Sequence, residues 1–117
     1  MPAFAAGQIV LADWRDGLPR EPNKLRPAIV VQDSGLFDPD YPNVILVPLS
    51  EDRFTVAPDL SVTIDPTPEN GCTKRCYALS PSVAATSARR LRSTDSRVLP
   101  AQLAEIRRQI GFAIGLE

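Results

Sequence analysis

A charged loop runs straight into an apolar stretch in the segment EPNKLRPAIVV, residues 21–31. The second half of this segment is β-branched and nearly unbroken, which predicts a strand over 27–31 in the centre of a sheet. Pro27 stands at the first position of that strand, where a missing backbone N–H is tolerated. Arg26 comes directly before it, so a rigid scaffold presents this cation where the loop meets the strand, at the mouth of the expected barrel.

Other short strands lie on both sides of this segment. Apolar or alternating runs, separated by clusters of Gly, Pro, Asn and Asp, predict strands over residues 9–14, 44–49, 60–65, 76–79 and 83–88. The alternation is strict over 60–65, so we expect Leu60, Val62 and Ile64 to face a core.

After residue 100 the apolar residues recur at steps of three and four, which predicts one amphipathic helix. The apolar positions are Leu103, Ile106, Ile110, Ala113 and Ile114. Pro100 suits the first helical turn, and Gly115 suits the C-terminal end. Five or six strands followed by one helix predict a mostly β fold, a small barrel with the helix packed against it.

Length and composition are those of one ordinary globular domain, expected to span residues 1–117, with 44% apolar and 23% charged residues. The formal net charge is −1, so the molecule as a whole does not attract a polyanion. Binding to nucleic acid would therefore require local clustering of the thirteen basic residues, eleven of which are arginine.

Histidine is absent, and the only cysteines are Cys72 and Cys76. This excludes Ser-His-Asp and Cys-His catalysis and leaves too few ligands for a zinc site, and a Gly-rich phosphate loop is also missing. We predict no metal and no cofactor. The sequence lacks a signal peptide and any apolar run of membrane-spanning length, so we expect a cytoplasmic protein with reduced thiols.

Arg26 has two interpretations on the sequence alone. Most arginines are surface groups, and an ion pair with Asp13, Asp16 or Glu21 is the simpler interpretation. The alternative is a functional cation, because the loop ends and the buried strand begins at this residue.

Three motifs follow one another in the first half of the chain. They are Gly7-Gln8-Ile9-Val10, Glu21-x-x-x-x-Arg26-Pro27-Ala28-Ile29-Val30-Val31 and Val44-Ile45-Leu46-Val47-Pro48-Leu49-Ser50. In this order they resemble the MazF/PemK family of type II toxin–antitoxin growth-inhibitor toxins. Leu99-Pro100-Ala101-Gln102-Leu103 is similar to the start of that family's last helix. The resemblance spans residues 7–116 and is loose over 51–95.

The resemblance implies a homodimeric SH3-like barrel that cleaves single-stranded RNA, such as mRNA, at short sequences without a metal ion. It also implies a cognate antitoxin that covers the RNA groove. By matching positions, the catalytic arginine is Arg26 and the catalytic hydroxyl is Ser50, where the family more often has threonine. The acidic residue ahead of the Arg-Pro pair is Glu21, which we assign as the general base.

Further residues are candidates for RNA binding. Lys24, Arg15 and Arg89 are basic, and Trp14 can stack on an unpaired base. Trp14 also suits a core or dimer-interface anchor, and Arg89 belongs to a basic run that suits either RNA phosphates or an acidic antitoxin tail.

One stretch departs from the family pattern. Some family members carry an arginine and an aspartate on a later strand, whereas residues 84–88 here offer neither. This departure favours the alternative of a non-catalytic SH3-like barrel that binds a protein, or of a toxin that acts by binding a topoisomerase. A structural subunit without a ligand is a third interpretation.

Overall fold

Seven strands and one α-helix form the computed structural model, which describes residues 4–13, 25–52 and 59–116. In chain order they are β1 (Gln8–Asp13), β2 (Leu25–Val30), β3 (Asn43–Ser50), β4 (Ser61–Ile64), β5 (Cys76–Leu79), β6 (Ala84–Ser87), β7 (Leu91–Arg97) and α1 (Pro100–Ala113). Single turns of 3-10 helix follow β5 at Ser80–Ser82 and β6 at Ala88–Arg90.

The strands form one antiparallel sheet in the order β4-β5-β3-β2-β1-β7. Strand β6 lies outside this order and pairs with the first half of β3. β3 is the longest of the described strands and takes part in three ladders, with β6, β2 and β5. Ala28 of β2 faces Pro48, and one residue further along Leu49 faces Ala78 of β5. No ladder within the described residues joins the outer strands β4 and β7, so the sheet is barrel-like but open.

Alternate residues of the central strands supply hydrophobic clusters on opposite faces of the sheet, because successive side chains point in opposite directions. The first cluster includes Ile9, Ile29, Val47, Val62, Ile64 and the helical residue Ile106. The second cluster includes Val10, Ala12, Ala28, Val30, Leu46 and Leu91. Strand β2 therefore contributes buried side chains to both faces, as expected for the central strand that the sequence predicts.

Helix α1 covers the first cluster through Ile106, which is fully buried. A polar contact fixes the helix to the end of β2. Nε of Arg107 donates a 3.0 Å hydrogen bond to the carbonyl of Val31, and Nη2 donates a 3.2 Å bond to the carbonyl of Gln32. The helix is thereby attached by apolar packing on one side and by backbone carbonyls on the other.

Both ends of α1 agree with the sequence prediction. At the start, the backbone N–H of Leu99 donates to Oε1 of Gln102 at 2.9 Å, while Pro100 occupies the first turn. At the end, Gly115 has a φ of +91°, and Leu116 N–H bonds the carbonyl of Gly111 at 2.7 Å. A left-handed glycine of this kind commonly terminates a helix.

The mostly β architecture with one C-terminal helix is confirmed, with two differences in detail. Strand β7 (Leu91–Arg97) was not predicted, because its sequence LRSTDSR is almost entirely polar and lacks an apolar alternation. The predicted core stripe of the helix also ends early: Ala113 is exposed and Ile114 has 65% of its surface accessible.

Strand β4 confirms the alternation predicted for 60–65, since Val62 and Ile64 are buried and Thr63 is exposed. Within the described parts of the chain, no helix is long and apolar enough to cross a membrane.

Candidate active site

Arg26 is the second residue of β2 and is exposed to solvent. Its strand neighbours Leu25 and Pro27 are half-buried, and Ala28 is fully buried. The backbone of Arg26 is further held by pairing with Ala12 of β1. The rigid strand therefore fixes where the side chain begins, at a residue that is exposed to solvent.

Ser50 is the last residue of β3 and is half-buried. Its backbone pairs with Tyr77 of β5, and its hydroxyl oxygen accepts a 3.0 Å hydrogen bond from the N–H of Asp52. A serine hydroxyl carries one donor and two acceptor positions. The bond from Asp52 uses an acceptor position, which leaves the O–H of Ser50 able to donate to a ligand.

Arg26 and Ser50 lie on the same face of the sheet. Ala28 faces Pro48 across the β2–β3 ladder. Arg26 is two residues before Ala28, and Ser50 is two residues after Pro48, and residues two apart on a strand share a face. The described ladder stops at Ala28–Pro48 because β3 then turns to pair with β5. The guanidinium and the hydroxyl thus come from neighbouring strand ends, at the point where the two ladders diverge.

A group of arginines borders the same end of the sheet. Arg89, Arg90 and Arg92 line a depression of about 290 Å³ together with Asp13 and Leu25. Leu91, between these arginines, faces Ala12, and Ala12 in turn faces Arg26 on its other side. The arginines of residues 89–92 and Arg26 therefore lie at the same end of the three neighbouring strands β2, β1 and β7.

Arg89 lies in the turn between β6 and β7, and its position is fixed locally. The backbone N–H of Arg89 donates to the Ser87 hydroxyl at 3.3 Å, while the side chain is exposed. An exposed guanidinium on a fixed backbone suits contact with a phosphate. A chain with a net charge of −1 needs a local cluster of basic residues to bind nucleic acid, and Arg89, Arg90 and Arg92 form such a cluster.

Four of the predicted site residues lie outside the described residues: Trp14, Arg15, Glu21 and Lys24. Asp16, a candidate ion-pair partner of Arg26, lies outside them too. Their roles stay predictions. Among the described residues, no group of three or more Cys, Asp or Glu side chains is placed to hold a metal ion.

A family model described as a PemK-like, MazF-like toxin of a type II toxin–antitoxin system matches residues 5–114. The chain belongs to this family. The family assignment that the sequence motifs suggested is therefore confirmed over nearly the whole chain, including the stretch over 51–95 where the motifs matched loosely.

Solved structures of toxins share the fold. An endoribonuclease in complex with its cognate antitoxin, from a mycobacterial species, superposes with a TM-score of 0.74 at 21% identity, covering 98% of both chains. MazF from Deinococcus radiodurans gives a TM-score of 0.74 at 19% identity, covering 96% of both chains. A MazF toxin from Mycobacterium tuberculosis gives 0.71 at 20% identity, covering 94% of this chain and 98% of the other. No curated protein sequence matches the chain significantly.

The MazF/PemK toxin sequences are thus distant from this chain while their backbones superpose closely. In this family member, the departure noted over residues 84–88 falls on β6, which carries two alanines, a threonine and a serine. Arg89 lies two residues after the end of β6, so the basic group comes after the strand instead of on it.

Proposed function

We propose that this chain is an endoribonuclease that cleaves single-stranded RNA, without a metal ion and at short specific sequences, and so acts as a growth-inhibiting toxin. The observation that carries the proposal is an exposed guanidinium, Arg26, at the start of a rigid strand and on the same face as the Ser50 hydroxyl. Membership of the toxin family and the likeness to a named endoribonuclease support it.

The chemistry needs no histidine, because RNA carries its own nucleophile beside the scissile phosphate. Glu21 takes the proton of the 2′-hydroxyl, and the 2′-oxygen attacks phosphorus as the bond to the 5′-oxygen breaks. The departing 5′-oxygen takes a proton from solvent, which leaves a 2′,3′-cyclic phosphate and a 5′-hydroxyl end.

Arg26 and Ser50 serve the phosphoryl group during this attack. Negative charge gathers on the phosphoryl oxygens, and a guanidinium offers two parallel N–H donors to them. Ser50 donates its O–H to one of these phosphoryl oxygens. The N–H of Asp52 holds the hydroxyl oxygen of Ser50 in place by donating a hydrogen bond to it. Both groups are assigned as catalytic because both contact the reacting phosphate in this proposal.

Binding of the RNA strand is assigned to residues around the same end of the sheet. Arg89 contacts a neighbouring phosphate from its exposed position beside β7. Lys24 and Arg15 contact further phosphates, and Trp14 stacks on an unpaired base.

The partners follow from the same assignment. A toxin that cleaves cellular RNA has to be held inactive, and we propose a cognate antitoxin that covers Arg26 and the arginine-lined depression. One of the similar structures is described as a complex with such an antitoxin. We also propose a homodimer, in which two copies provide one RNA groove.

The direct test is incubation of the purified protein with a long unstructured RNA in the presence of a chelator, followed by mapping of 5′-hydroxyl ends. The proposal predicts new ends at a short common sequence, and growth arrest when the chain is expressed without an antitoxin. An absence of new ends at micromolar protein would favour a non-catalytic binding module or a topoisomerase-binding toxin. The alanines and hydroxyls of β6, which offer neither acid nor arginine, are the observation behind that second function.

A further inference from the structure

A second cleft opens on the sheet face opposite to Arg26. Its volume is about 290 Å³, and its wall includes Leu49 and Glu51 at the end of β3, Thr94 of β7, and both cysteines of the chain. Pro27 and Leu49 lie on this face because they alternate with Arg26 and Ser50 along their strands. Nothing in the proposed RNA cleavage uses the thiols of this cleft.

Cys72 and Cys76 are free thiols at different depths in the cleft. Cys72 is half-buried, in the turn before β5, and Cys76 is buried as the first residue of β5. The Cys72 Sγ lies 3.8 Å from the carbonyl oxygen of Asn70, and the Cys76 Sγ lies 3.4 Å from that of Lys74. A reagent entering from solvent therefore reaches Cys72 first.

The two side chains contact each other. Burial, together with the neighbouring Cys72 thiol and Glu51 carboxylate, raises the pKa of the Cys76 thiol to about 11. Both cysteines also pack against the hydrophobic cluster under helix α1. The pair thus combines one accessible thiol with a deeper neighbour that stays protonated at neutral pH.

The backbone on both sides of the pair is fixed. Asn70 is buried, and its Oδ1 accepts hydrogen bonds from the N–H groups of Thr67 and Cys72, at 3.1 and 2.9 Å. Gly71 has a φ of +67°, and a Cβ atom there would lie 2.7 Å from Oγ of Ser96, so any other residue would be strained. On the other side, Cys76 pairs with Ile64 of β4.

We propose that Cys72 and Cys76 form a dithiol redox site that exchanges with low-molecular-weight disulfides such as oxidised glutathione. The Cys72 thiolate attacks one sulfur of the disulfide, the reagent's S–S bond breaks, and one glutathione thiolate leaves. Cys76 then loses its proton to solvent, and its thiolate attacks the Cys72 sulfur of the mixed disulfide and expels the second glutathione thiolate, which takes up a proton. Overall the two cysteines lose two electrons and two protons, and oxidised glutathione gains them as two reduced glutathione molecules.

The exposure difference assigns the order of the two steps. Cys72 is the attacking thiol because it is the more accessible, and Cys76 is the resolving thiol because it is buried beside it. Removal of the resolving thiol should therefore trap the mixed disulfide on Cys72, whereas removal of the attacking thiol should leave the protein nearly unmodified.

The test uses the full-length chain, reduced and then incubated with oxidised glutathione near pH 8, and follows mass and thiol alkylation without any RNA. The wild type should lose the mass of two hydrogen atoms and become resistant to alkylation. Cys76→Ser should accumulate one glutathione on Cys72, and Cys72→Ser should gain glutathione roughly tenfold more slowly. Cys76→Ala is the second variant, in case serine at the buried position impairs folding, which circular dichroism would reveal.

Three results would overturn the proposal, whatever the outcome of the RNA experiment. The first is a wild type that keeps a glutathione adduct without closing the intrachain disulfide. The second is equal adduct formation at both cysteines, which would remove the difference between attacking and resolving thiols. The third is a wild type that stays fully reduced or oxidises only between molecules.

Discussion

The Ser80 hydroxyl donates a 2.7 Å hydrogen bond to Oε1 of Gln109, and both side chains are buried where α1 crosses the turn after β5. Nε2 of Gln109 donates in turn to the carbonyl of Ser61 at 3.0 Å. The amide of one helical residue thus connects α1 to the turn after β5 and to the start of β4. Both the oxygen and the nitrogen of the Gln109 amide therefore have hydrogen-bond partners, as expected for a buried polar side chain.

Removal of either partner in this contact should destabilise the fold. Ser80→Ala leaves Oε1 of Gln109 buried without its donor, so we expect the free energy of unfolding to fall by about 1–3 kcal/mol. Urea denaturation of the purified chain measures the difference. Ser82→Ala, at an exposed position in the same turn, is the matched control and should change little. Equal stability of the two variants would contradict the role assigned to the buried bond.

Arg26→Ala should lower the rate of RNA cleavage by about 100- to 1000-fold, because it removes a donor to the charge that develops on the phosphate. The exposed position predicts little change in thermal stability. Arg26→Lys should recover only part of the rate, since an ammonium lacks the two parallel donors. Cleavage of a fluorescent oligoribonucleotide measures each rate. Arg75→Ala is the control, because that arginine is also exposed, pairs with Asp65 and has no assigned role in catalysis. A loss of rate there equal to that of Arg26→Ala would argue against the assignment.

Ser50→Thr and Ser50→Ala separate the hydroxyl from the rest of the side chain. Threonine keeps an oxygen that can accept from Asp52 N–H and a proton that can bind phosphate, so cleavage should remain within severalfold of the wild type. Alanine removes both, and we expect a rate loss on the order of 10- to 100-fold. A Ser50→Ala variant as fast as Ser50→Thr in the same oligonucleotide assay would show that the hydroxyl takes no part.

Arg89→Ala should weaken binding to RNA without regard to sequence. A single phosphate contact contributes about one unit to the slope of log K against log salt concentration, so the variant's slope should be smaller by about that amount. Filter binding with a deoxy-substituted, uncleavable oligonucleotide over a range of salt measures the slope. Arg75→Ala again serves as the control and should keep the wild-type slope, and an unchanged slope in Arg89→Ala would exclude the contact.

Stability should fall with rising pH because of Cys76. The folded state raises the pKa of this thiol to about 11, above its ordinary value of 9.0, so folding favours the protonated form. The stabilisation is complete below about pH 9 and is lost as the pH rises towards 11, by up to about 2 kcal/mol. Urea denaturation of the wild type and of Cys76→Ala at pH 8 and pH 10.5 isolates this contribution. Identical pH dependence in the two proteins would show that the thiol is not responsible.

Much of the fold could be predicted from apolar periodicity, and the departures have a common cause. Val62 and Ile64 are buried as their alternation requires, and Ile106 lies in the core as the helical spacing requires. Strand β7 was missed because its backbone pairs with β1 while most of its side chains remain in solvent, so hydrophobicity carries no signal. Ile114 continues the apolar spacing but lies beyond the last helical residue, where it is exposed.

The candidate site was predictable in part for a different reason. Arg26 was singled out from its place between a charged loop and a buried strand and then from a family motif, whereas Ser50 came from a motif alone. Neither source contains the strand register that places both on one face. The arginine-lined depression depends on β7, so its connection with Arg26 required the order of strands in the sheet. The contact between Cys72 and Cys76 likewise depends on the conformation around Gly71, which spacing along the chain does not specify.

Strand β3 belongs to three ladders: its first half pairs with β6, its middle with β2 and its last two residues with β5. The guanidinium of Arg26 is consequently supported by one part of the sheet and the hydroxyl of Ser50 by another. A substitution in the β4–β5 hairpin can shift the hydroxyl while the guanidinium stays in place. Under the proposed function, sequence drift in that hairpin would tune cleavage rate and target sequence while leaving Arg26 undisturbed.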